Sequence, residues 1–274
     1  MENLSCKEML MNTQTKVADQ PIIDVRKLSF SYHSMEEETL ALSDISFRVY
    51  PGEFLSIVGP SGCGKTTLLS LIAGLIPVEQ GDIIKTQDLK TGYMLQRDLL
   101  LEWRTIWENV MLGLEINHAI NETTKQYAMQ LLKEYGLEEF IHKKPSELSG
   151  GMRQRVALIR TLVLKPDLLL LDEPFSALDY QTRLLVSADI GNIIRNSHKT
   201  AIMITHDIAE AITLADRVMV LSHRPAELLY DLPIHFSITR VDPLAIRATE
   251  EYHTYFDLIW KALIRDSESC SSES

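Results

Sequence analysis

The residues Gly59-Pro60-Ser61-Gly62-Cys63-Gly64-Lys65-Thr66 decide how the rest of this chain is read. They lie between the apolar run Phe54 to Val58 and the stretch Thr67 to Ala73, whose pattern suits a helix. Phosphate oxygens need many donors converging at short range, and glycines let the backbone curl until successive N–H groups face one anion. The spacing GxxxxGK[ST] supplies that cradle. In it Lys65 reaches the β and γ phosphates, Thr66 offers its hydroxyl to Mg²⁺, and the following helix turns its positive end toward the same charge. A strand before and a helix after favour a phosphate loop over a plain glycine turn. The predicted nucleotide contacts are Gly59, Pro60, Ser61, Gly62, Cys63, Gly64, Lys65, Thr66 and Thr67.

A chain of 274 residues with 45% apolar side chains can bury one full core, or a core with a small attached subdomain. With 27 basic against 38 acidic side chains the formal charge is -11, an anionic surface that repels a nucleic-acid backbone. No nucleic-acid partner is expected. The apolar runs Phe54 to Val58 and Leu168 to Leu171 are far shorter than the ~20 residues of a bilayer span. The first residues, interrupted by Glu2, Lys7 and Glu8, lack the continuous apolar segment of a secretory signal. The expectation is a cytosolic chain that does not itself cross a membrane. Three widely spaced cysteines, with Cys63 inside the loop, predict free thiols and no zinc site.

Residues 1–20 show no clear period and are expected to form a mobile tail. From Ile22 to Tyr32 the alternation of Ile23 and Val25 shifts phase at Leu28 and Phe30, which predicts a strand with a bulge. Ile45, Phe47 and Val49 alternate with polar neighbours and predict a second, antiparallel strand, ending at Pro51-Gly52; the acidic run Glu36 to Glu38 between the two reads as a solvated turn. The short apolar runs Phe54 to Val58, Leu168 to Leu171, Ala201 to Thr205 and Val218 to Leu221 predict parallel strands buried on both faces. Between them, Ile106 to Leu114 and Thr123 to Tyr135 have helical spacing, with Gly136 and Pro145 as punctuation, so a helical insert in an α/β core is expected over about 97–160. Leu244, Ala248, Tyr252, Tyr255, Ile259 and Leu263 predict one amphipathic helix packed on the body. The serine- and acid-rich Asp266 to Ser274 is expected to be disordered.

A second anion-binding end lies at Ser149-Gly150-Gly151, where Ser149 suits a helix cap and the glycines leave backbone N–H groups uncovered. One nucleotide has no use for two such ends in one subunit, so the second is expected to serve a nucleotide held by another copy. Leu148 to Gln154, Leu-Ser-Gly-Gly-Met-Arg-Gln, resembles the signature motif of ABC ATPases, and the other motifs stand in that family's order from roughly Ile22 to Leu229. The chain thus resembles the ATP-binding subunit of an ABC transporter. The resemblance implies an α/β fold: a P-loop NTPase core with a RecA-like parallel sheet, an antiparallel β subdomain and a helical insert. The corresponding division is an ABC ATPase domain over 21–230 and a C-terminal extension over 231–274.

The family's roles carry over residue by residue. Tyr32 stands where an aromatic stacks on adenine, although a strand tyrosine taken alone is more often packing. Gln96 matches the glutamine that contacts Mg²⁺ or the attacking water. In Leu168-Leu169-Leu170-Leu171-Asp172-Glu173, Asp172 holds the metal shell with Thr66 and Gln96, and Glu173 orients and deprotonates the water. Ser176-Ala177-Leu178-Asp179 resembles the loop through which Asp179 couples two sites across a dimer, and His206 matches the switch histidine near the γ phosphate. Catalysis thus falls to Glu173, His206 and Gln96. Ser149, Gly150, Gly151 and Met152 face the ATP of a partner copy. Met152 departs from the commoner glutamine.

With ATP and Mg²⁺, the implied partners are a second copy or paired cassette, integral membrane permease subunits and an external substrate-binding protein. That puts the chain on the inner face of the cell membrane. The run Met94 to Thr105 with Asn109-Val110 and Gly113-Leu114-Glu115 resembles importers for nitrate, sulfonate, taurine and thiamine-precursor pyrimidines, and an exposed Trp103 there suits a docking groove. A soluble ABC-type ATPase of translation or DNA repair is the competing reading, but it would carry tandem cassettes or a long coiled-coil insertion and a basic surface. A regulatory NTPase or small-molecule kinase with the same loop has no use for Leu148 to Gln154.

Overall fold

A computed structural model of the chain describes residues 20–33, 38–197, 199–238 and 243–272. The expected N-terminal tail, but for its last residue, and most of the acidic turn lie outside these. Among the described residues the strands are β1 (Ile23–His33), β2 (Glu38–Val49), β3 (Phe54–Val58), β4 (Gln80–Lys85), β5 (Thr91–Met94), β6 (Leu168–Asp172), β7 (Thr200–Thr205), β8 (Arg217–Leu221) and β9 (Leu228–Pro233). The α-helices are α1 (Lys65–Ala73), α2 (Ile106–Ile116), α3 (Glu122–Glu134), α4 (Gly150–Leu162), α5 (Tyr180–Asn196), α6 (Ile208–Leu214), α7 (Pro243–Arg247) and α8 (Glu250–Ser272).

Two sheets result. The larger has the order β5-β6-β7-β3-β8-β9, with β5 through β8 parallel and β9 antiparallel to β8. Its inner strands are apolar on both faces because each face meets a different core, and the pleat sorts the side chains with period two. Phe54, Val58, Leu169, Leu171, Ala201 and Met203 enter the core shared with the helices between 106 and 262. Leu55, Ile57, Leu168, Leu170, Ile202 and Ile204 enter the core shared with α1 and the smaller sheet. Each fully buried aliphatic chain of this kind contributes about 1.5–3 kcal/mol. The smaller sheet is antiparallel, β2-β1-β4, and the phase shift read in β1 is a register irregularity between Val25 and Leu28, where Lys27 has φ +47°.

Between β5 and β6 lie the helices α2, α3 and α4, joined by turns. Thr105 and Glu108 close a reciprocal cap on α2, and Asn121 and Thr124 do the same on α3.

The C-terminal expectations need correcting. Instead of one helix from Leu244 there are two, because the Thr249 hydroxyl accepts from the Tyr252 N–H at 3.2 Å and starts α8 afresh after a turn at Ala248. Leu244 is consequently 62% exposed rather than packed, while Ile246, Tyr252, Ile259 and Ala262 are buried. The segment from Asp266 is also helical as far as Ser272. Asp266 ties down the loop after β8, accepting from the His223 backbone N–H at 2.6 Å and meeting His223 Nδ1 at 2.5 Å, and extending an established helix costs little.

Candidate active site

The parallel strands bring sequence-distant loops to one edge. Met94 pairs with Leu171, Asp172 with Ile204, and Val58 with Thr205, so the segments leaving β5, β6, β7 and β3 emerge side by side at the strands' carboxyl ends. That is where α/β sheets hold ligands.

The phosphate loop wraps from Gly59 into α1. Gly62 and Gly64 have φ +76° and +121°, left-handed values that let the loop close over its own N–H groups. Lys65 is 5% exposed, and its ammonium donates to the Gly59 and Pro60 carbonyls, both at 2.8 Å, which holds the charge over the loop's mouth. Cys63 is buried, with a free thiol pushed up by that burial. Tyr32 is half exposed beside the loop, its hydroxyl 2.8 Å from Thr67 Oγ1 and its ring edge-on to Phe30.

Thr66 donates its hydroxyl to Asp172 Oδ1 at 3.2 Å, and Tyr93 donates to Asp172 Oδ2 at 3.4 Å. Burial pushes the Asp172 carboxyl up, against the lowering effect of the Thr66 bond, and Glu173 next to it also pushes it up. A buried carboxylate beside an acid and a threonine hydroxyl is an all-oxygen set whose negative charge Lys65 offsets only in part. Such a set suits a hard divalent cation that keeps waters and phosphate oxygens in its shell. Thr66 and Asp172 would hold such an ion, while Gln96 is turned toward Glu173 and Ser176.

Glu173 has φ +43°, an uncommon value for a residue with a side chain, and its N–H donates to the Ile204 carbonyl at 2.9 Å. Strain of this sort concentrates at working sites. Here it accompanies a carboxylate that meets two other predicted residues at one oxygen: His206 Nδ1 lies 3.0 Å and Gln96 Nε2 3.3 Å from Glu173 Oε2. Ser176 supports the turn, donating to the Glu173 carbonyl at 3.0 Å and accepting from Gln96 at 3.4 Å. Phosphate loop, Tyr32, Gln96, Asp172, Glu173 and His206 thus form one neighbourhood.

The signature residues do not join it through their own contacts. Ser149 Oγ accepts from the Met152 N–H at 3.4 Å at the start of α4, leaving Ser149 and Gly150 exposed. A Cβ on Gly151 would come within 3.0 Å of Thr182 and Val186, so this glycine lets α4 lie close on α5. Met152 packs partly into the core. Asp179 caps α5 by accepting from the Thr182 N–H at 3.1 Å, and that bond holds its carboxyl below the usual range.

Sequence reasoning missed Tyr93, although it lies on the strand leading to Gln96, and passed over Arg183 and Glu210. Those two carried no motif signal, and only the fold brings them together.

Among the described residues no helix is long and apolar enough to cross a membrane. The family model for ABC transporters matches residues 42–176. The chain is 44% identical to the ABC transporter ATP-binding protein YtlC of Bacillus subtilis, over 88% of this chain and 95% of that one. It is 38% identical to the nitrate transport protein NasD of Klebsiella oxytoca, over 76% and 82%, and 41% identical to the taurine import ATP-binding protein TauB of Escherichia coli, over 72% and 80%. Among solved structures, a dimeric ATP-binding cassette in a post-hydrolysis state, bound to ADP and phosphate, matches with a TM-score of 0.66 and 30% identity, covering 78% of this chain and 99% of that one.

Proposed function

From the premise that this chain belongs to the ABC transporter ATP-binding proteins, we propose that it hydrolyses ATP to drive a membrane importer for a small solute of the nitrate, sulfonate or taurine kind. The taurine import protein among its relatives supports the direction, and with the nitrate transport protein it supports the solute class. One observation carries the enzymatic part: the Thr66 hydroxyl and Asp172 meet at one point, and Glu173, Gln96 and His206 at another, from strands adjacent in the sheet.

In this reading residues 21–230 are the ATP-binding unit, with 97–160 as its helical insert. The loop N–H groups and Lys65 bind the β and γ phosphates, and Tyr32 stacks on the base. Mg²⁺ supplies neutralisation of phosphate charge when bound. Gln96 and His206 orient a water against the γ phosphorus, and Glu173 takes its proton as the new P–O bond forms and the bond to the ADP oxygen breaks. Ser149, Gly150 and Gly151 cover the same ATP from a second copy, whose Asp179 loop meets the first copy's site. The dimeric solved cassette supports that arrangement. Closure on ATP and opening after hydrolysis pass to a permease at the inner membrane face through the segment near Trp103, which is 72% exposed. An external binding protein completes the importer.

Glu173→Gln tests this. Phosphate release is expected to fall at least 100-fold, while ATP drives the variant into dimers on size exclusion. Wild-type turnover in the variant would overturn the role of Glu173, and co-purification of no permease from native membranes would overturn the transport role.

A further inference from the structure

Arg183 stands between the two loops that flank the active site. It lies on α5, one turn after Asp179, and its Nη2 donates to the Leu178 carbonyl at 3.0 Å, fixing the backbone just ahead of Asp179. In the other direction its Nη1 is 3.8 Å from Asp207 Oδ2 and its Nε 3.9 Å from Glu210 Oε1. Both separations exceed a hydrogen bond, which needs about 2.7–3.2 Å. The Nε is buried and has no hydrogen-bond partner among protein atoms, and Glu210 Oε1 is a carboxyl acceptor that a movement of about 1 Å would bring into range.

Glu210 is 5% exposed and is hydrogen-bonded into the turn that carries His206. Its Oε2 accepts from Thr205 Oγ1 at 2.7 Å, and the same Thr205 oxygen accepts from the Asp207 N–H at 3.0 Å. His206 is thus held from both sides through one threonine hydroxyl whose proton is committed to Glu210. Asp207 in turn accepts from the Ala209 and Glu210 N–H groups at 2.8 and 3.2 Å, which locks the turn to the start of α6. Glu210 is thereby two hydrogen bonds from the turn whose histidine ring lies 3.0 Å from Glu173.

We propose that Arg183 and Glu210 are a pair of positioning residues: when the Asp179 loop is pressed by the second copy, Arg183 Nε closes onto Glu210 and sets His206 against Glu173. This deepens the ATPase reading and rests on it. Burial pushes the Glu210 carboxyl up to about 7 although Arg183 at its present distance already draws it down, and a closer guanidinium would draw it further toward the charged form. The pair thereby links occupation of the dimer interface to the geometry of the hydrolytic water without touching nucleotide.

ATP turnover by the full-length chain tests the pair through Arg183→Gln, Glu210→Gln and the double variant. Glu210→Gln keeps an acceptor for Thr205 while removing the charge and replacing one acceptor oxygen by an amide donor. Each single change is expected to lower kcat about tenfold with KM for ATP altered less than twofold, and the double variant to be no slower than the slower single. Losses that multiply in the double variant, or rise in KM rather than fall in kcat, overturn the pair. Arg183 is a quarter exposed, so if Glu210→Gln does not fold, Arg183→Gln alone decides: an unchanged kcat overturns the proposal and a reduced kcat at constant KM supports it. A wild-type chain that releases no phosphate overturns the ATPase reading beneath it, whereas wild-type turnover with multiplying losses overturns the pair alone.

Discussion

Gly64 shows how little freedom the phosphate loop has. Its φ is +121°, and a Cβ there would come within 2.8 Å of Leu42 Cδ2 and 3.0 Å of the Ala41 carbonyl oxygen. The leucine tip can swing aside, but the backbone oxygen cannot. Gly64→Ala is expected to cost about 1–3 kcal/mol in urea unfolding and to weaken binding of a fluorescent ATP analogue. Unchanged stability would mean that the loop relaxes around the methyl group. Glu210 yields a second prediction at this scale. With Thr205, Arg183, Asp207 and His206 around it, its folded carboxyl titrates near 7 against an ordinary value of 4.5. The native state therefore holds a proton that the unfolded chain has released between those values. Stability from this group is complete below about pH 4.5 and is lost as pH rises through about 7, a decline of roughly 3 kcal/mol. Glu210→Gln should flatten that part of the pH–stability curve, and an identical slope in the variant would place the buried proton elsewhere.

At the scale of elements, α4 is stapled to the segment after Gln96. Arg153 donates from Nε and Nη2 to both oxygens of Asp98, at 2.7 and 3.0 Å, and from Nη2 to Glu102 at 2.8 Å. Burial alone would raise the Asp98 carboxyl, yet Arg153 holds it below the usual range. Arg153→Ala is expected to cost about 1.5–3 kcal/mol and to quicken hydrogen exchange over 97–105, read by mass spectrometry; exchange confined to α4 would refute the staple. The elements also show which parts of a sequence are self-explanatory. The strands β3, β6, β7 and β8 are continuous apolar runs because both faces are covered, so each could be read from its own residues. In contrast β4 has no buried position, and β9 buries only Leu232. Their pairing is set by neighbours, β1 and β8, that no local pattern reveals. The turn at Ala248 was hidden because Leu244 and Ala248 keep helical spacing with the residues after them, and the Thr249 cap outweighs that periodicity. The candidate site was legible where chemistry demands fixed spacing, as from Gly59 to Thr66. Arg183 and Glu210 meet through the packing of α5 on α6, for which spacing gives no sign.

For the molecule as a whole, ligand and fold are linked by mass action. Nucleotide at about a hundred times its Kd should stabilise the native state by about 2.7 kcal/mol, raising the thermal midpoint by roughly 5 °C for a chain of this size. Lys65→Ala should abolish the rise, and a variant that kept it would remove Lys65 from the binding energy. The strand order also bears on how this chain is made. The strand β3, which leads into the phosphate loop, lies between two strands from far along the sequence: Phe54 pairs with Ala201, and Leu55 with both Ile202 and Arg217. On the ribosome, Phe-Leu-Ser-Ile-Val emerges early and waits without neighbours while most of the remaining sequence is translated, a greasy ribbon open to chaperones or to other nascent chains. Premature termination before Thr200 would then yield precipitate rather than a weakened enzyme.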